Sequence, residues 1–383
     1  MAGLDGIVVS DAAAKVVSAV CKTRFALVSS GGKKKRSQTW ITSFPSSRLR
    51  IIWEFPRARS LLPFRNHPRI SAATRSRVQS AAEELGYRPN PAVAAWMSHR
   101  RRVKPDAGGA SIAFLNSWPD LAEWRASPWF TRFEQGARDR AKVLGCGFEK
   151  FWLAEPGMTP ERMSKILRAR GVRGVIIGSL PVNGITLELD WANFAAVGES
   201  LTLPHPAVYC AVSDYAHTMQ LALREMSALG YRRIGYAMAP NLEDRAQHLY
   251  LSAYLGYQHS RPKRDRLPPL DWTQKSPVDL RHWIERSKPE AILSHDVLMQ
   301  KAVRRLGLRA PEDLGVAVLC LHPGASPRGL AGIDQRLERC GGVAIDLLVP
   351  QLHYNELGPP AQPVIALTRG VWVGGDTLRP VWC

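Results

Sequence analysis

The chain has 383 residues, of which 45% are apolar, so it is long enough for two or three domains with a sizeable core. It contains no run of 18 apolar residues, which excludes a transmembrane helix. The net charge is +19, and residues 1–109 hold 20 Lys and Arg against 6 Asp and Glu, an asymmetry that indicates either a nucleic-acid partner or a solvated basic tail.

Six cysteines are scattered along the chain without a CxxC pair or zinc-ligand spacing. They fit reduced thiols, and residues 1–19 lack the basic start and solid apolar core of a signal peptide. We therefore expect a cytoplasmic protein with no metal and no cofactor.

Residues 1–64 show neither a helical nor a strand period, and we expect an irregular basic segment there. Apolar residues begin to recur at helical spacing from residue 71 onward. Ser71 can cap a helix that ends near Gly86, and Asn90 can cap a second, short helix with the sequence AVAAWMS. Residues 102–110 are loose and polar, which is typical of a linker.

From residue 111 onward, strand and helix patterns alternate. Buried strands are predicted at 111–116, 174–180, 194–198, 233–239, 291–294 and 316–321, and helices at 130–145, 214–230 and 297–307. This alternation predicts an α/β fold with parallel sheets that carry helices on both faces. The number of units is too large for one sheet, so we expect two lobes.

Several of these segments resemble, in the same order, the motifs of the lactose-repressor family of bacterial transcriptional regulators. They begin with RNHPRISAATRSRVQSAAEELGYRPN (65–90) and NPAVAAWM (90–97), and continue with FEQGARDRAKVLG, LRARGVRGVIIG, VSDYAHTMQLALREMSALGYRRIGY, KPEAILSHDVLMQKAVRRLGLRAPEDLGVAVL and ALTRGVWV. The resemblance covers roughly residues 65–383. It implies two periplasmic-binding-protein-like lobes, joined by three crossing strands and preceded by a helix-turn-helix DNA-binding head and a hinge helix.

The resemblance also implies a domain plan and partners. Residues 65–101 would be the remnant of the head plus the hinge. The first lobe would comprise about 110–211 and 333–354, and the second about 212–330 and 360–383. The expected partners are operator DNA, a small sugar-like effector between the lobes, and a second copy of the chain in a homodimer.

In the family, a hinge leucine wedges open a base step in the minor groove, and Trp96 occupies that place here. Small neighbours would allow close approach, and the following arginines could meet phosphates. Alternatively, Trp96 packs on the lobes and the arginines are solvated. The expected DNA-binding residues are Asn90, Ala92, Val93, Trp96, Arg100 and Arg101.

The family usually places an arginine three residues before a Gly-aromatic pair, but Ala253 stands there, and Arg245 and His248 are candidate substitutes. His295-Asp296 replaces the family's Asn-Asp pair, and His322 replaces its acidic sugar-binding residue. Two imidazoles and an arginine suit an anionic ligand as well as a neutral sugar. The expected effector-binding residues are Trp118, Trp124, Asp214, Arg245, His248, His295, Asp296 and His322, with Asp214 mainly a helix cap and at least one nearby tryptophan in the core.

We find no GxSxG, GxxxxGK[ST] or HExxH motif, and we do not expect an enzyme. The alternative to a regulator is a small-molecule-binding protein that has lost its DNA-reading helices. The genetic code allows a nucleotide sequence for residues 53–64, WEFPRARSLLPF, that has a second meaning in another reading frame. Translated from its third base, the same nucleotide sequence gives GVSPGTVSLAL, which is similar to the family's turn and recognition helix. This predicts an out-of-frame N-terminal segment; the other interpretation is a genuine extension.

Overall fold

The structure, a computed structural model, describes residues 71–74, 76, 80, 111–273, 277–295, 297–322 and 329–379. The expected DNA-binding residues, 90–101, and the segment 1–64 lie outside these residues. Ala72–Thr74 are helical, and the Ser71 Oγ accepts a hydrogen bond from the Thr74 backbone N–H at 3.3 Å. The predicted helix start at Ser71 is therefore confirmed.

The first lobe is built on a six-stranded parallel sheet with the order β11-β5-β4-β3-β1-β2. Its strands are β1 (Ser111–Asn116), β2 (Gly147–Trp152), β3 (Val172–Ile177), β4 (Ala195–Gly198), β5 (Tyr209–Ser213) and β11 (Ile365–Thr368). Its helices are α1 (Leu121–Ala126), α2 (Pro128–Val143), α3 (Pro160–Ala169) and α9 (Leu337–Tyr354), with a 3-10 turn at Trp191–Asn193.

The second lobe repeats this plan with the order β12-β10-β9-β8-β6-β7, in which β12 alone is antiparallel. Its strands are β6 (Ile234–Met238), β7 (Leu270–Asp271), β8 (Ala291–Ser294), β9 (Gly315–Val318), β10 (Ala331–Asp334) and β12 (Val371–Val373). Its helices are α4 (Tyr215–Ala228), α5 (Pro240–Arg245), α6 (Leu249–Ser260), α7 (Pro277–Ser287) and α8 (Met299–Arg305), with a 3-10 turn at Lys263–Asp265.

Both sheets are buried on both faces, as the nearly continuous apolar strands predict. In β1, Ile112 and Phe114 join one core cluster while Ala113 and Leu115 join another, because successive side chains of a strand point to opposite faces. The second lobe likewise has one core cluster on each face of its sheet. Each lobe is therefore a three-layer α/β unit.

The described chain passes between the lobes three times: after Ser213, between Asp334 and Leu337, and between Thr368 and Val371. The α/β fold with two parallel-sheet lobes is thus confirmed. One boundary differs from the expected plan: β11 was assigned to the second lobe but pairs with β5 of the first, so the last crossing comes after Thr368.

Helices α2 and α9 pack with unusually close backbones. A Cβ at Gly136 would lie 1.8 Å from the Glu338 carbonyl oxygen, and one at Gly341 would lie 2.0 Å from that of Phe133. Only glycine fits at these two crossing points. The contact fixes α2, whose first turn contributes Trp129 and Phe130 to the lining of the cavity described next.

Among the helices in the described ranges, none combines the length and the apolar character that crossing a bilayer requires.

Candidate functional site

A cavity of about 230 Å³ lies between the lobes. It is bordered by the segments that follow β1, β3 and β4 in the first lobe and by α4, α5, α6 and the end of β8 in the second. Ligands of α/β folds bind outside the carboxyl ends of parallel strands, where these segments begin. The lining residues are Trp118, Glu123, Ser127, Trp129, Phe130, Ser179, Ser200, Thr202, Tyr215, Leu242, Arg245, Ala246, Tyr250 and His295.

Trp118 is held rigidly at the first lobe's side of the cavity. Its backbone N–H donates to the Asn116 side chain at 2.9 Å, its indole N–H donates to the Ser179 carbonyl at 2.9 Å, and its carbonyl accepts from the Trp152 indole at 2.8 Å. Its ring also packs against Phe130, with centroids 4.8 Å apart. A fixed aromatic face of this kind suits a flat ligand or a sugar ring.

Arg245 reaches across from the second lobe. Its Nη2 donates to the Ser179 Oγ at 2.6 Å, and its guanidinium carbon lies 5.4 Å from the centre of the Trp118 ring. Burial lowers the pKa of Arg245, while Tyr215 and Glu199 act in the opposite direction. The guanidinium nevertheless stays cationic, because the ordinary pKa of an arginine lies far above neutral pH.

Glu199 follows β4 directly and is only 4% exposed. One carboxyl oxygen accepts from the Ser179 backbone N–H at 3.0 Å, whereas Oε1 has no hydrogen-bond partner among the described residues. Burial raises the pKa of Glu199 to about 8, against the lowering effects of the Ser179 N–H and Arg245. Near neutral pH this carboxyl group is mostly protonated and uncharged.

His295 lies at the end of β8 between two aromatic rings. Its ring centroid is 5.6 Å from that of Trp129 and 6.2 Å from that of Tyr250. Tyr250 is fixed in turn, since its hydroxyl accepts from the Gln335 Nε2 at 2.8 Å. Burial, with help from His322 and Arg245, lowers the pKa of His295 to about 4, so its imidazole is neutral at physiological pH.

Residues at the end of α5 also bind the first lobe directly. Besides Arg245, the Asn183 side chain donates to the Asp244 carbonyl, and the Gln247 Nε2 donates to the Leu201 carbonyl at 3.1 Å. A second contact between the lobes involves Arg132 of α2, which makes a bidentate ion pair with Glu338 of α9. The Arg132 Nη2 also donates to the Asp334 carboxylate at 2.9 Å, at the end of β10, where the chain passes from the second lobe to the first. These contacts hold the lobes together on two sides of the interface.

Of the sequence-predicted effector residues, Trp118, Arg245 and His295 are brought together in the cavity. Asp296 lies outside the described residues. Trp124 is buried in the first lobe's core, where its ring stacks on Phe130 with centroids 6.1 Å apart. Trp124 is not among the residues that line the cavity, and its place agrees with the expectation that at least one nearby tryptophan covers the core.

His248 is exposed and is not among the residues that line the cavity. Gln247 and His248 both have left-handed backbone angles, with φ of 51° and 55°, so the chain turns sharply between α5 and α6. The His248 side chain is 58% exposed and lies 3.4 Å from the Asp244 carboxylate. This turn between α5 and α6 is the reason that His248 is not among the residues that line the cavity, although Arg245 is.

Asp214 and His322 also lie outside the cavity lining. Asp214 caps α4, with its Oδ1 accepting from the His217 N–H at 2.9 Å, as expected of its main role. His322 lies beside Cys320, with the Sγ 3.9 Å from its Nε2, and its buried Nδ1 has no partner in the described part of the chain. Burial and the nearby Arg132 lower the pKa of His322.

Sequence reasoning did not select Glu199, Ser179 or the tyrosines Tyr215 and Tyr250. A signal was present for the first two, because Ser179 and Glu199 are polar residues that follow the buried strands β3 and β4 within two positions. The tyrosines gave no such signal, since an aromatic residue within an apolar helical stripe is most often a core residue.

Residues 223–374 match the periplasmic binding protein-like domain family. No curated protein matches the chain significantly. Among solved structures, the transcriptional regulator CelR in complex with cellobiose is similar at 20% identity and a TM-score of 0.53, covering 87% of this chain and 100% of its own.

Two further structures show the same similarity. The Lac repressor dimer bound to operator and the anti-inducer ONPF has 20% identity and a TM-score of 0.51 over 84% of this chain and 95% of its own. The LacI-family regulator CcpA from Weissella paramesenteroides, with bound glucose, has 11% identity and a TM-score of 0.51 over 71% of this chain and 99% of its own. All three are transcriptional regulators. The resemblance to the lactose-repressor family is thus confirmed in the fold, and residues 223–374 match the periplasmic binding protein-like domain.

Proposed function

We propose that the protein is a transcriptional regulator of the lactose-repressor type, controlled by a small sugar-like effector that binds between its two lobes. The observation that carries the proposal is the cavity, in which a fixed Trp118 face meets Arg245 and His295 from the opposite lobe. Aromatic faces with a few convergent polar groups are typical of small-ligand sites.

The proposed mechanism couples the cavity to DNA through the lobes. A ligand that contacts both Trp118 and Arg245 would stabilise one relative orientation of the lobes, because it binds that orientation better than others. In a homodimer, this orientation would set the distance between two DNA-binding heads and hinge helices, and hence the affinity for a two-fold symmetric operator. The similar structures named for cellobiose, ONPF and glucose support a sugar-like effector.

The DNA-binding part of the proposal is tested by selecting bound sequences from random duplex DNA with the purified full chain, at about 50 mM and about 200 mM salt. A regulator enriches a two-fold symmetric motif, and a bound effector changes the affinity for it. Binding that is salt-sensitive but enriches no motif would contradict specific DNA recognition by this chain. It would favour the alternative, a small-molecule-binding protein without specific DNA recognition.

A further inference from the structure

The cavity contains a cation, Arg245, that has no carboxylate partner among the described residues. The Arg245 side chain donates a hydrogen bond to the Ser179 hydroxyl at 2.6 Å, and no carboxylate oxygen of the described residues lies within 4.0 Å of its nitrogens. Glu199 is a carboxyl group that acts on the pKa of Arg245, and burial raises its own pKa to about 8, so it is mostly protonated near neutral pH. A guanidinium has five N–H donors, so most of its donor capacity remains available to a ligand.

The charges around the cavity favour a ligand with a single negative charge. Among its described lining residues, Arg245 is the one permanent cation, and His295 is neutral. Glu123 is exposed and lines the same cavity, so a ligand with two or more negative charges would meet repulsion without a second cation to balance it. A carboxylate matches the planar fork of one arginine in both charge and geometry.

The remaining lining selects the size and character of the ligand. The volume of about 230 Å³ lies below the range of about 300–1,000 Å³ that holds drug-sized ligands, so the cavity suits a small ligand. Four residues that carry hydroxyl groups are among its lining residues beside Trp118: Ser200, Thr202, Tyr215 and Tyr250. Such a lining suits one hydroxylated ring or its open-chain equivalent.

We propose that this cavity binds a sugar acid, a hydroxylated monocarboxylate no larger than one sugar ring, with its carboxylate on Arg245 and its carbon skeleton on Trp118. The inference rests on the proposed function, since it names the effector class of the same site. The position of the arginine differs from the family pattern: the family's arginine stands at the position of Ala253, whereas here Arg245 would bind the ligand.

Carboxylate binding at Arg245 has a second consequence. Arg245 favours the ionised form of Glu199, and a bound carboxylate offsets this effect, so the pKa of Glu199 rises further and the protein takes up a proton near pH 8. The other groups that act on Glu199 or respond to it are Glu134, Tyr215 and Cys340. Burial raises the pKa of Cys340 to about 12 and that of Tyr215 higher still, so neither titrates near pH 8. A neutral sugar would produce no such uptake.

The test is calorimetric titration of the full chain with glucuronate, galacturonate and gluconate, each paired with its neutral counterpart: glucose, galactose and glucitol. At least one acid should bind about 10–100-fold more tightly than its counterpart, the range for a charge-assisted hydrogen bond. Repeating that titration at pH 8 in buffers of different ionisation enthalpy should show proton uptake for the acid.

Arg245→Gln should abolish the preference for the acid, and Arg245→Lys should restore part of it, since lysine keeps the charge but not the fork. Arg304→Gln, which removes an exposed arginine of α8, is the matched control and should bind like the wild type. Thermal melting of each variant shows whether it folds.

The inference is overturned if no acid binds better than its neutral counterpart, or if Arg245→Gln weakens acid and neutral sugar equally. In either case Arg245 would bind uncharged hydroxyl groups of a ligand, or would bind no ligand. The proposed function is judged separately, by enrichment of a DNA motif, so the two can fail independently.

Discussion

The close crossing of α2 and α9 allows a sharp test of the fold. We expect Gly136→Ala or Gly341→Ala to destabilise the first lobe, because the new methyl group would lie 1.8 Å or 2.0 Å from a carbonyl oxygen of the facing helix. The obstructing atoms belong to the backbone, so no side-chain rotation can relieve the clash. The adjacent Gly342 is a matched control, since a Cβ there would meet its nearest atom, the Arg140 Cβ, at 3.8 Å.

The magnitude follows from these distances. Ordinary contact begins near 3.4 Å, so Gly136→Ala requires the helices to separate by about 1.6 Å, and a gap of even 0.5–1 Å forfeits about a quarter to a half of each dispersion contact. Overpacking typically costs about 1–3 kcal/mol, and a clash with backbone belongs at the upper end, about 3 kcal/mol. Gly342→Ala should gain about 0.5–1 kcal/mol from the better helix propensity of alanine.

Thermal unfolding followed by circular dichroism measures both effects. At about 2–4 °C per kcal/mol, Gly136→Ala and Gly341→Ala should lower Tm by about 6–12 °C, while Gly342→Ala should leave it unchanged or raise it slightly. If Gly341→Ala and Gly342→Ala gave the same Tm, α2 and α9 would not approach as closely as described, and the reasoning would be refuted.

Three further predictions concern charge, assembly and the gene. Burial raises the pKa of the Glu199 carboxyl group from 4.5 to about 8, so ionisation of this group destabilises the folded protein. The Tm of the wild type should therefore fall relative to the Tm of Glu199→Gln as pH rises from 4.5 to about 8, and the difference should stay constant above that pH. Parallel Tm curves from pH 4.5 to 9 would contradict the burial of a carboxyl group at this position. Light scattering at micromolar concentration should give the mass of a homodimer, and a strict monomer would count against the proposed two-fold operator. Sequencing the gene should show that the codons of residues 53–64 encode a helix-turn-helix segment in the shifted frame, as GVSPGTVSLAL suggests; codons that yield no such segment would establish a genuine extension. Residues 1–64 and the hinge lie outside the described structure, so this remains a prediction.

Local sequence pattern was sufficient where the spacing of apolar residues alone identifies the element. AILS was predicted as a strand and forms β8 with the same bounds, and the predicted helix 214–230 forms α4 over Tyr215–Ala228. In both segments the apolar spacing and the flanking polar residues agree with the tertiary environment. The order of such segments also sufficed for the two-lobe α/β fold.

Other elements could be recognised only in three dimensions. Helix α9 contains Gly341, Gly342 and Pro350, which local propensity reads as helix breakers, yet it is helical because its glycines allow close packing on α2. Strand β11 is short and partly exposed, and its lobe was decided by pairing with β5. Both cases depend on a partner that is distant in the chain.

The candidate site divides in the same way. The sequence by itself determined that aromatic, basic and imidazole groups occur near the expected strand ends, and three of them, Trp118, Arg245 and His295, meet in the cavity. Only the tertiary structure decided that Trp124 packs inward against Phe130 and that His248 turns outward after the left-handed break at Gln247. The physical reason is that residue type and spacing determine which groups are available, whereas side-chain direction depends on backbone angles and on packing partners supplied by remote parts of the chain.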